Sequence, residues 1–215
     1  MISDSTNNEV FLTGTVDSEL TYSHEVYGEG FYSFFIKIFR LSNMCDRINV
    51  TVSERLIKDL NLYEGSEISV SGQFRSYNNY SQEGNKLILT VFARDIYLGN
   101  SDSEKNPNQI YLNGFLCKQP VYRTTPFGRE ITDLLLAVNR AYNKSDYIPC
   151  IAWGRNARFS STLSVGDNIK IWGRIQSREY QKKISETESI TKTAYEISVS
   201  KMEVVEKENL EIEIV

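Results

Sequence analysis

The chain has 215 residues, of which 40% are apolar and 24% charged, and its formal net charge is −4. This composition is typical of a folded globular protein and argues against a largely disordered chain. No run approaches the ~18 consecutive apolar residues of a membrane-spanning helix. Residues 1–9 are polar and acidic, unlike a secretory signal, so we expect a cytoplasmic protein.

Charge is distributed unevenly along the chain. Residues 1–100 carry 8 Lys and Arg against 13 Asp and Glu, whereas residues 101–200 carry 14 against 10. Residues 201–215 are acidic again, with 2 against 5. A positive balance confined to one half indicates that this half meets a polyanion.

Two separated segments recur at a nearly constant offset. Residues 8–14 (NEVFLTG) resemble residues 108–114 (NQIYLNG), and residues 64–72 resemble residues 165–173. A duplicated unit of about 100 residues explains both matches. The repeat predicts a first domain at 1–98, a polar linker at 99–107, a second domain at 108–205 and an acidic tail at 206–215.

Within each unit, apolar and polar residues alternate, as in strands with one buried face. The apolar positions are Ile68, Val70 and Phe74 in the first unit and Ile169, Ile171 and Ile175 in the second. One stretch per unit has helical character, residues 54–62 and residues 156–163. We therefore expect an all-β fold of two small closed barrels in tandem, each with five strands and a short helix.

Motifs in the second unit are specific enough to indicate a family. In chain order they are Asn108-x-Ile110-x-Leu112-x-Gly114, Thr125-Pro126-Phe127-Gly128, Leu136-Ala137-Val138-Asn139-Arg140, Asp146-Tyr147-Ile148-Pro149-Cys150-Ile151-Ala152-Trp153-Gly154 and Gly166-Asp167-x-Ile169-x-Ile171-x-Gly173-Arg174. This series resembles the bacterial single-stranded DNA-binding proteins. The resemblance covers residues 108–205 and implies two tandem OB folds, which are five-stranded Greek-key barrels. The first unit resembles the family mainly through the repeat.

Binding a single strand without reading its sequence needs aromatic faces for the bases and cations for the phosphates. The aromatic positions that the resemblance assigns to base stacking are Tyr142, Tyr147, Trp153 and Tyr180. The cations nearest to them in sequence are Arg140, Arg155, Arg178 and Lys182. From the residue pattern alone, Tyr147 and Trp153 are equally well explained as core or interface residues, and each cation as an ordinary surface charge.

The first unit lacks this aromatic set. By the repeat, Ser42, Arg47, Ser53 and Asn79 stand at the four aromatic positions, and Tyr77 and Tyr80 are expected in a nearby loop as partial substitutes. Because this half is also acidic, we expect it to be a weaker DNA site or a structural half.

The function that the resemblance implies is coating and protecting single-stranded DNA in replication, recombination and repair, near the nucleoid. An OB-fold accessory protein that acts through protein contacts is the alternative. With one histidine, no C-x-x-C spacing and no phosphate-binding glycine loop, we expect no enzyme activity, no metal and no cofactor. The family's four-barrel assembly implies a homodimer, and the acidic tail is a recruiter of replication and repair proteins, an edge strand or a solvated segment.

Overall fold

The chain folds into two consecutive barrels of the same topology. The structure is a computed structural model, and it describes residues 6–42, 44–81, 84–99, 106–183 and 189–205; the side chains of 79–81, 84–86 and 182–183 lie outside this description. The expected linker lies largely outside the described residues, and the expected tail lies wholly outside them. Neither helix in the described part is long and apolar enough to span a membrane.

The first barrel has a closed ring of five strands and one appended strand. Its elements are β1 (Asn8–Val16), β2 (Thr21–Val26), β3 (Glu29–Phe39), β4 (Cys45–Ser53), α1 (Glu54–Ile57), β5 (Glu67–Ser81) and β6 (Gly84–Leu98). The ring runs β3, β4, β6, β5, β1, and pairing of β1 with β3 closes it. The β4–β6 pair is parallel, and the other pairs are antiparallel. The exposed strand β2 pairs with β3 outside the ring.

The second barrel repeats this arrangement. Its elements are β7 (Asn108–Leu116), β8 (Val121–Thr124), β9 (Glu130–Arg140), β10 (Lys144–Trp153), α2 (Arg155–Ser160), β11 (Asn168–Lys183) and β12 (Ser189–Val204). The ring runs β9, β10, β12, β11, β7, and the β7–β9 pair closes it. The two tandem five-stranded barrels are thus confirmed, with β2 and β8 as additional short strands.

Both helices are shorter than the sequence predicts. The first ends at Ile57, because the chain then turns and lays Leu60 and Leu62 against the core. The second ends at Ser160, and the turn that follows it buries Leu163. Packing of these leucines outweighs the helical tendency of such short segments.

The predicted apolar alternation fills the barrel interiors. Each of the six alternating positions in β5 and β11 is fully buried: Ile68, Val70, Phe74, Ile169, Ile171 and Ile175. A bulge bends each of these strands at a glycine. A Cβ at Gly72 would lie 2.2 Å from the carbonyl oxygen of Phe92, and one at Gly173 would lie 2.3 Å from that of Ser198. Only glycine permits the close approach of backbones at these corners.

The two barrels are joined by a strand pair. Strands β1 and β7 run antiparallel, with Asn8 opposite Leu112, Val10 opposite Ile110 and Leu12 opposite Asn108. All twelve strands therefore form one continuous hydrogen-bonded sheet. This pairing satisfies backbone groups that would otherwise form an exposed edge on each barrel.

Two buried aspartates make reciprocal contacts across the junction. Asp46 of β4 accepts a hydrogen bond from the backbone N–H of Ser177 in β11, at 2.8 Å. Asp146 of β10 accepts one from the backbone N–H of Ser76 in β5, at 2.7 Å. Both aspartates are 1% exposed or less. Each barrel thus places one carboxylate on a strand of the other barrel, and the two contacts fix their relative orientation.

A buried asparagine holds the bent strand in each barrel. The Asn8 amide donates to the Phe74 carbonyl at 2.8 Å and accepts from the Phe74 N–H at 2.9 Å. The Asn108 amide does the same at Ile175, at 2.7 and 2.9 Å. Phe74 and Ile175 lie two positions beyond the last residue of β5 or β11 that pairs with β1 or β7, so each asparagine amide supplies hydrogen bonds that the neighbouring strand no longer provides.

We predict that Asn108→Ala lowers the free energy of unfolding by about 2 to 4 kcal/mol, because it leaves a buried N–H and a buried C=O of Ile175 without partners. Urea unfolding measures this change. Gln109→Ala, at the exposed neighbouring position, is the matched control and changes stability little. Equal destabilisation by the two substitutions would contradict the role assigned to the Asn108 amide.

Candidate nucleic-acid interface

Strand β10 divides its side chains between the barrel interior and the outer face. Ile148, Cys150 and Ala152 are buried, whereas Tyr147 is 46% exposed and Trp153 is partly buried on the other face. Six residues of extended strand separate the two aromatic side chains by ~20 Å. Tyr147 and Trp153 therefore offer two separate outward positions, each suited to a different base.

Tyr142 lies in the turn that joins β9 to β10. Its φ of 61° and that of Asn143 at 54° are in the left-handed region, where most residues are strained. The side chain is 94% exposed, so it contributes little to the core. A large aromatic ring held out on a tight turn is available to a ligand.

The β11–β12 hairpin carries the fourth aromatic residue. Tyr180 is 39% exposed, and the guanidinium of Arg178 lies 5.9 Å from the centre of its ring. A cation beside an aromatic ring allows phosphate and base to bind together. The backbone of Lys182 continues the strand opposite Ile190, and the Lys182 side chain lies outside the described residues.

Arg155 is the first residue of α2, immediately after Trp153 and Gly154. It is exposed, and no ion pair within the described part of the chain involves Arg155 or Arg178. Among the described residues no carboxylate occupies either guanidinium group, so both can contact a phosphate.

Arg140 is paired with a buried carboxylate, whereas the sequence suggests a cation on the outer surface. It continues the inward-facing series of β9, and its Nε lies 3.3 Å from Oδ2 of the buried Asp146. Its guanidinium also lies 5.9 Å from the ring of Tyr77 in the first barrel. Since Arg140 compensates a buried carboxylate, removing it would disturb the junction as well as any phosphate contact.

The second barrel also matches a known family in sequence. Residues 107–205 match the model of the single-strand binding protein family. We call this domain the single-strand binding barrel, after the family that it matches. The matched region begins just before the first strand of this barrel and ends just after the last, so it covers the whole barrel.

Curated relatives of known name cover the same region. Single-stranded DNA-binding protein 1 of Staphylococcus aureus is 38% identical over 81 residues, which are 34% of this chain and 48% of that protein. The single-stranded DNA-binding protein of Clostridium tetani is 39% identical over 83 residues, 35% of this chain and 57% of that protein. The chain spans about half the length of the curated relatives that it matches.

Solved structures extend the similarity in fold to both barrels. A deletion mutant of the single-stranded DNA binding protein from Thermus aquaticus superimposes with a TM-score of 0.73 and 22% sequence identity. The match covers 93% of this chain and 95% of that chain. The tandem arrangement of two OB folds in one chain is therefore shared with that protein.

Non-aromatic residues of the first barrel stand at the positions that the repeat matches to the aromatic residues of the single-strand binding barrel. Ser42 is in an exposed turn, and Ser53 caps α1 by accepting a hydrogen bond from the Arg55 N–H at 3.1 Å. Arg47 covers the ring of Phe35 at 3.9 Å and pairs with Asp17 at 2.7 Å. The side chains of Ser53 and Arg47 are thus engaged within the first barrel.

Other notable side chains of the first barrel lie at the junction. Tyr77 is in β5 and not in the expected loop, while the side chains of Asn79 and Tyr80 lie outside the described residues.

Two cations at the junction were missed by sequence reasoning. They are Arg75 of the first barrel and Lys144 of the second, and both line a groove with Arg140. No local pattern reveals this group, because its members come from different barrels.

Burial dominates the ionisation of Asp146. Desolvation raises the pKa of this carboxyl above its ordinary value of 3.8, although the hydrogen bond from Ser76 and the charges of Arg140 and Arg75 act in the opposite direction. The folded state therefore binds a proton here more readily than the unfolded chain does. The stabilising effect of this proton is complete below pH 3.8 and is lost as pH rises through the raised pKa.

We predict that wild type loses stability relative to Asp146→Asn as pH rises from about 4 to about 7, because only the wild type must keep a buried carboxylate charged. The asparagine retains an acceptor for the Ser76 N–H. Denaturant unfolding of both proteins across this range measures the difference. A difference that is constant or changes in the opposite direction would contradict the dominant role of burial.

Proposed function

We propose that this protein binds single-stranded DNA and coats it during replication, recombination and repair, largely without sequence preference. The observation that carries the proposal is the outer surface of the single-strand binding barrel. Exposed aromatic side chains at Tyr142, Tyr147 and Tyr180 lie on the same domain as Arg155 and Arg178, two cations without an ion pair among the described residues. In this proposal residues 108–205 are the main binding domain, and residues 1–98 are the weaker one.

Binding of this kind rests on two contributions. Bases stack on aromatic rings, and stacking is tolerant of sequence because every base has a flat face. Arginines neutralise phosphates and release counterions, which makes affinity fall as salt rises. Trp153 adds a partly buried ring at the end of β10, and Lys182 adds a further positive charge on the β11–β12 hairpin.

The proposed activity is binding without bond breakage. The family of the second barrel and its curated relatives are named for binding single strands, which supports a binding protein and not an enzyme. The cytoplasm beside the nucleoid is the place where such a protein meets its ligand in a bacterial cell. Replication and repair proteins are further partners in this proposal, with the acidic segment 206–215 as their contact.

We predict that Tyr147→Ala weakens binding to poly(dT) by about 1 to 3 kcal/mol, the contribution of one stacked base. Folding should be affected little, because nearly half of the side chain is exposed. Fluorescence anisotropy of a labelled oligonucleotide measures the affinity. Tyr63→Ala, an exposed tyrosine of the first barrel, is the matched control and should bind like wild type.

Intrinsic fluorescence gives a second measurement on the unmodified protein. Stacking of a base on Trp153 quenches its emission, so poly(dT) should reduce the fluorescence of wild type. Absence of any binding by wild type at low salt would refute the proposed function. Binding that Tyr147→Ala and Tyr63→Ala weaken equally would leave DNA binding in place and remove the β10 face from the site.

We predict a homodimer with four barrels, twice the chain mass of 24.7 kDa, in light scattering at micromolar concentration. The resemblance to a four-barrel family supports this state. So does the outer face of the joined sheet, where the ring of Tyr111 lies 5.2 Å from that of Trp172 and Phe11 lines the same shallow groove. A monomer at this concentration would contradict the prediction.

A further inference from the structure

A second groove crosses the junction between the two barrels. We call it the junction groove, and it has a volume of about 840 Å³. The first barrel contributes polar residues of β5 and β6, and the second contributes residues at the ends of β9 and β10. The side chains that matter are Gln73, Arg75, Arg94, Asn139, Arg140 and Lys144.

The junction groove is strongly positive. Four of the described residues that line it are Arg or Lys, and none of them is Asp or Glu. Arg94 and Lys144 are exposed, and within the described ranges neither these two nor Arg75 forms an ion pair. Two of the four cations, Arg75 and Arg94, come from the half of the chain whose balance is 8 basic against 13 acidic residues.

Packing holds Arg75 in place at the groove. Its guanidinium lies over the ring of Phe92 at 4.0 Å, and one terminal nitrogen donates to Oε1 of Gln73 at 3.0 Å. Its Nε is buried and has no hydrogen-bond partner in the described part of the chain. Stacking on Phe92 and the bond to Gln73 hold the guanidinium in one orientation, and the planar guanidinium fork suits a phosphate.

Aromatic rings lie at the groove and next to it. Tyr142 lines the groove from the second barrel, and Arg140 links it to Tyr77 of the first barrel. The backbone N–H of Tyr147 donates to the Ser76 hydroxyl at 2.8 Å, which brings the β10 face up to the residue beside Tyr77. Cations and rings of both barrels are thus close to one another at this side of the junction.

The opposite side of the junction, around Asp46 and Ser177, carries a different set of side chains. By the repeat, Gln176 replaces Arg75, Ser42 replaces Tyr142 and Met44 replaces Lys144. Gln176 there donates to Glu196 at 2.6 Å, and Arg174 in place of Gln73 is the added cation. The duplicated fold therefore provides two similar junctions. Arg40 is the counterpart of Arg140 at the second one, but the counterparts of Arg75, Tyr142 and Lys144 there are neither charged nor aromatic.

We propose that the junction groove binds the phosphate backbone of the single strand as it passes from the second barrel onto the first. The inference rests on the proposed function and deepens it, because it makes Arg75 and Arg94 of the acidic barrel part of one continuous site. The first barrel is then a participant in binding, with its contacts confined to the edge that faces the second barrel.

The test compares two double variants of the full chain that remove the same charge. Arg75→Gln with Arg94→Gln removes two cations of the groove, and Arg55→Gln with Lys58→Gln removes two exposed first-barrel cations near α1. The logarithm of the affinity for a (dT) strand of about 30 nucleotides is measured against the logarithm of salt concentration. Each phosphate contact contributes about 0.7 to the slope, so the groove variant should reduce its magnitude by about 1.4 and the control should not.

Strand length provides a second readout. A strand of about 10 nucleotides fits one barrel, whereas one of about 30 reaches both. The gain in affinity between these lengths should be smaller for the groove variant than for wild type and control. Arg75→Lys with Arg94→Lys keeps both charges and should restore most of the salt slope.

The outcomes separate the inference from the function on which it rests. If wild type binds (dT) and the groove variant matches the control in slope and in length dependence, the inference is wrong and the proposed function stands. If wild type binds neither strand, the proposed function itself fails. Because Arg75 packs on Phe92, thermal melting is measured first; should that variant unfold, Arg94→Gln with Lys144→Gln, both exposed, carries the same comparison.

Discussion

The β1–β7 pair, with its two buried aspartates, determines how the two barrels relate. The pairing of β1 with β7 fixes the direction of one barrel relative to the other, but a single pair of strands would still allow the two barrels to twist relative to each other. Asp46 on Ser177 and Asp146 on Ser76 restrain this twist from opposite sides. Burying a carboxylate is costly, and the raised pKa of Asp146 reflects that cost. The junction is therefore rigid and specific, and its two sides become surfaces that neither barrel has alone.

Duplication gave the two barrels one architecture but different surfaces. Positions that shape the barrel are repeated, such as the buried amides of Asn8 and Asn108 and the glycines at the bulges. Positions on the outer face differ, so that Ser53 caps a helix where Trp153 presents a ring. The fold constrains the interior closely and the surface hardly at all, and this difference allows one barrel to specialise.

Much of the fold could be predicted from local patterns. Alternation in β5 and β11 identifies their buried faces, because a strand must place successive side chains on opposite sides. Helix lengths could not be predicted in this way, since tertiary packing of Leu62 and Leu163 ends both helices early. Exposure of Tyr142 and Tyr147 agrees with the positions that the family resemblance assigns to base stacking. Whether these rings contact DNA stays a prediction.

The sequence by itself determined the duplication, the strand pattern, the family resemblance of the second half and the uneven charge. Each of these depends only on residues that are near one another in the chain or are separated by a fixed offset. Only the tertiary structure decided that Arg140 compensates the buried Asp146 and that Arg75 and Lys144 share a groove. Arg75 and Lys144 are about 70 positions apart in the sequence. Arg140 and Asp146 are near one another in the sequence, but they lie at the adjoining ends of two different strands, β9 and β10. Periodicity and composition report the environment of a single strand, whereas the charge of a groove between two domains depends on how those domains are docked.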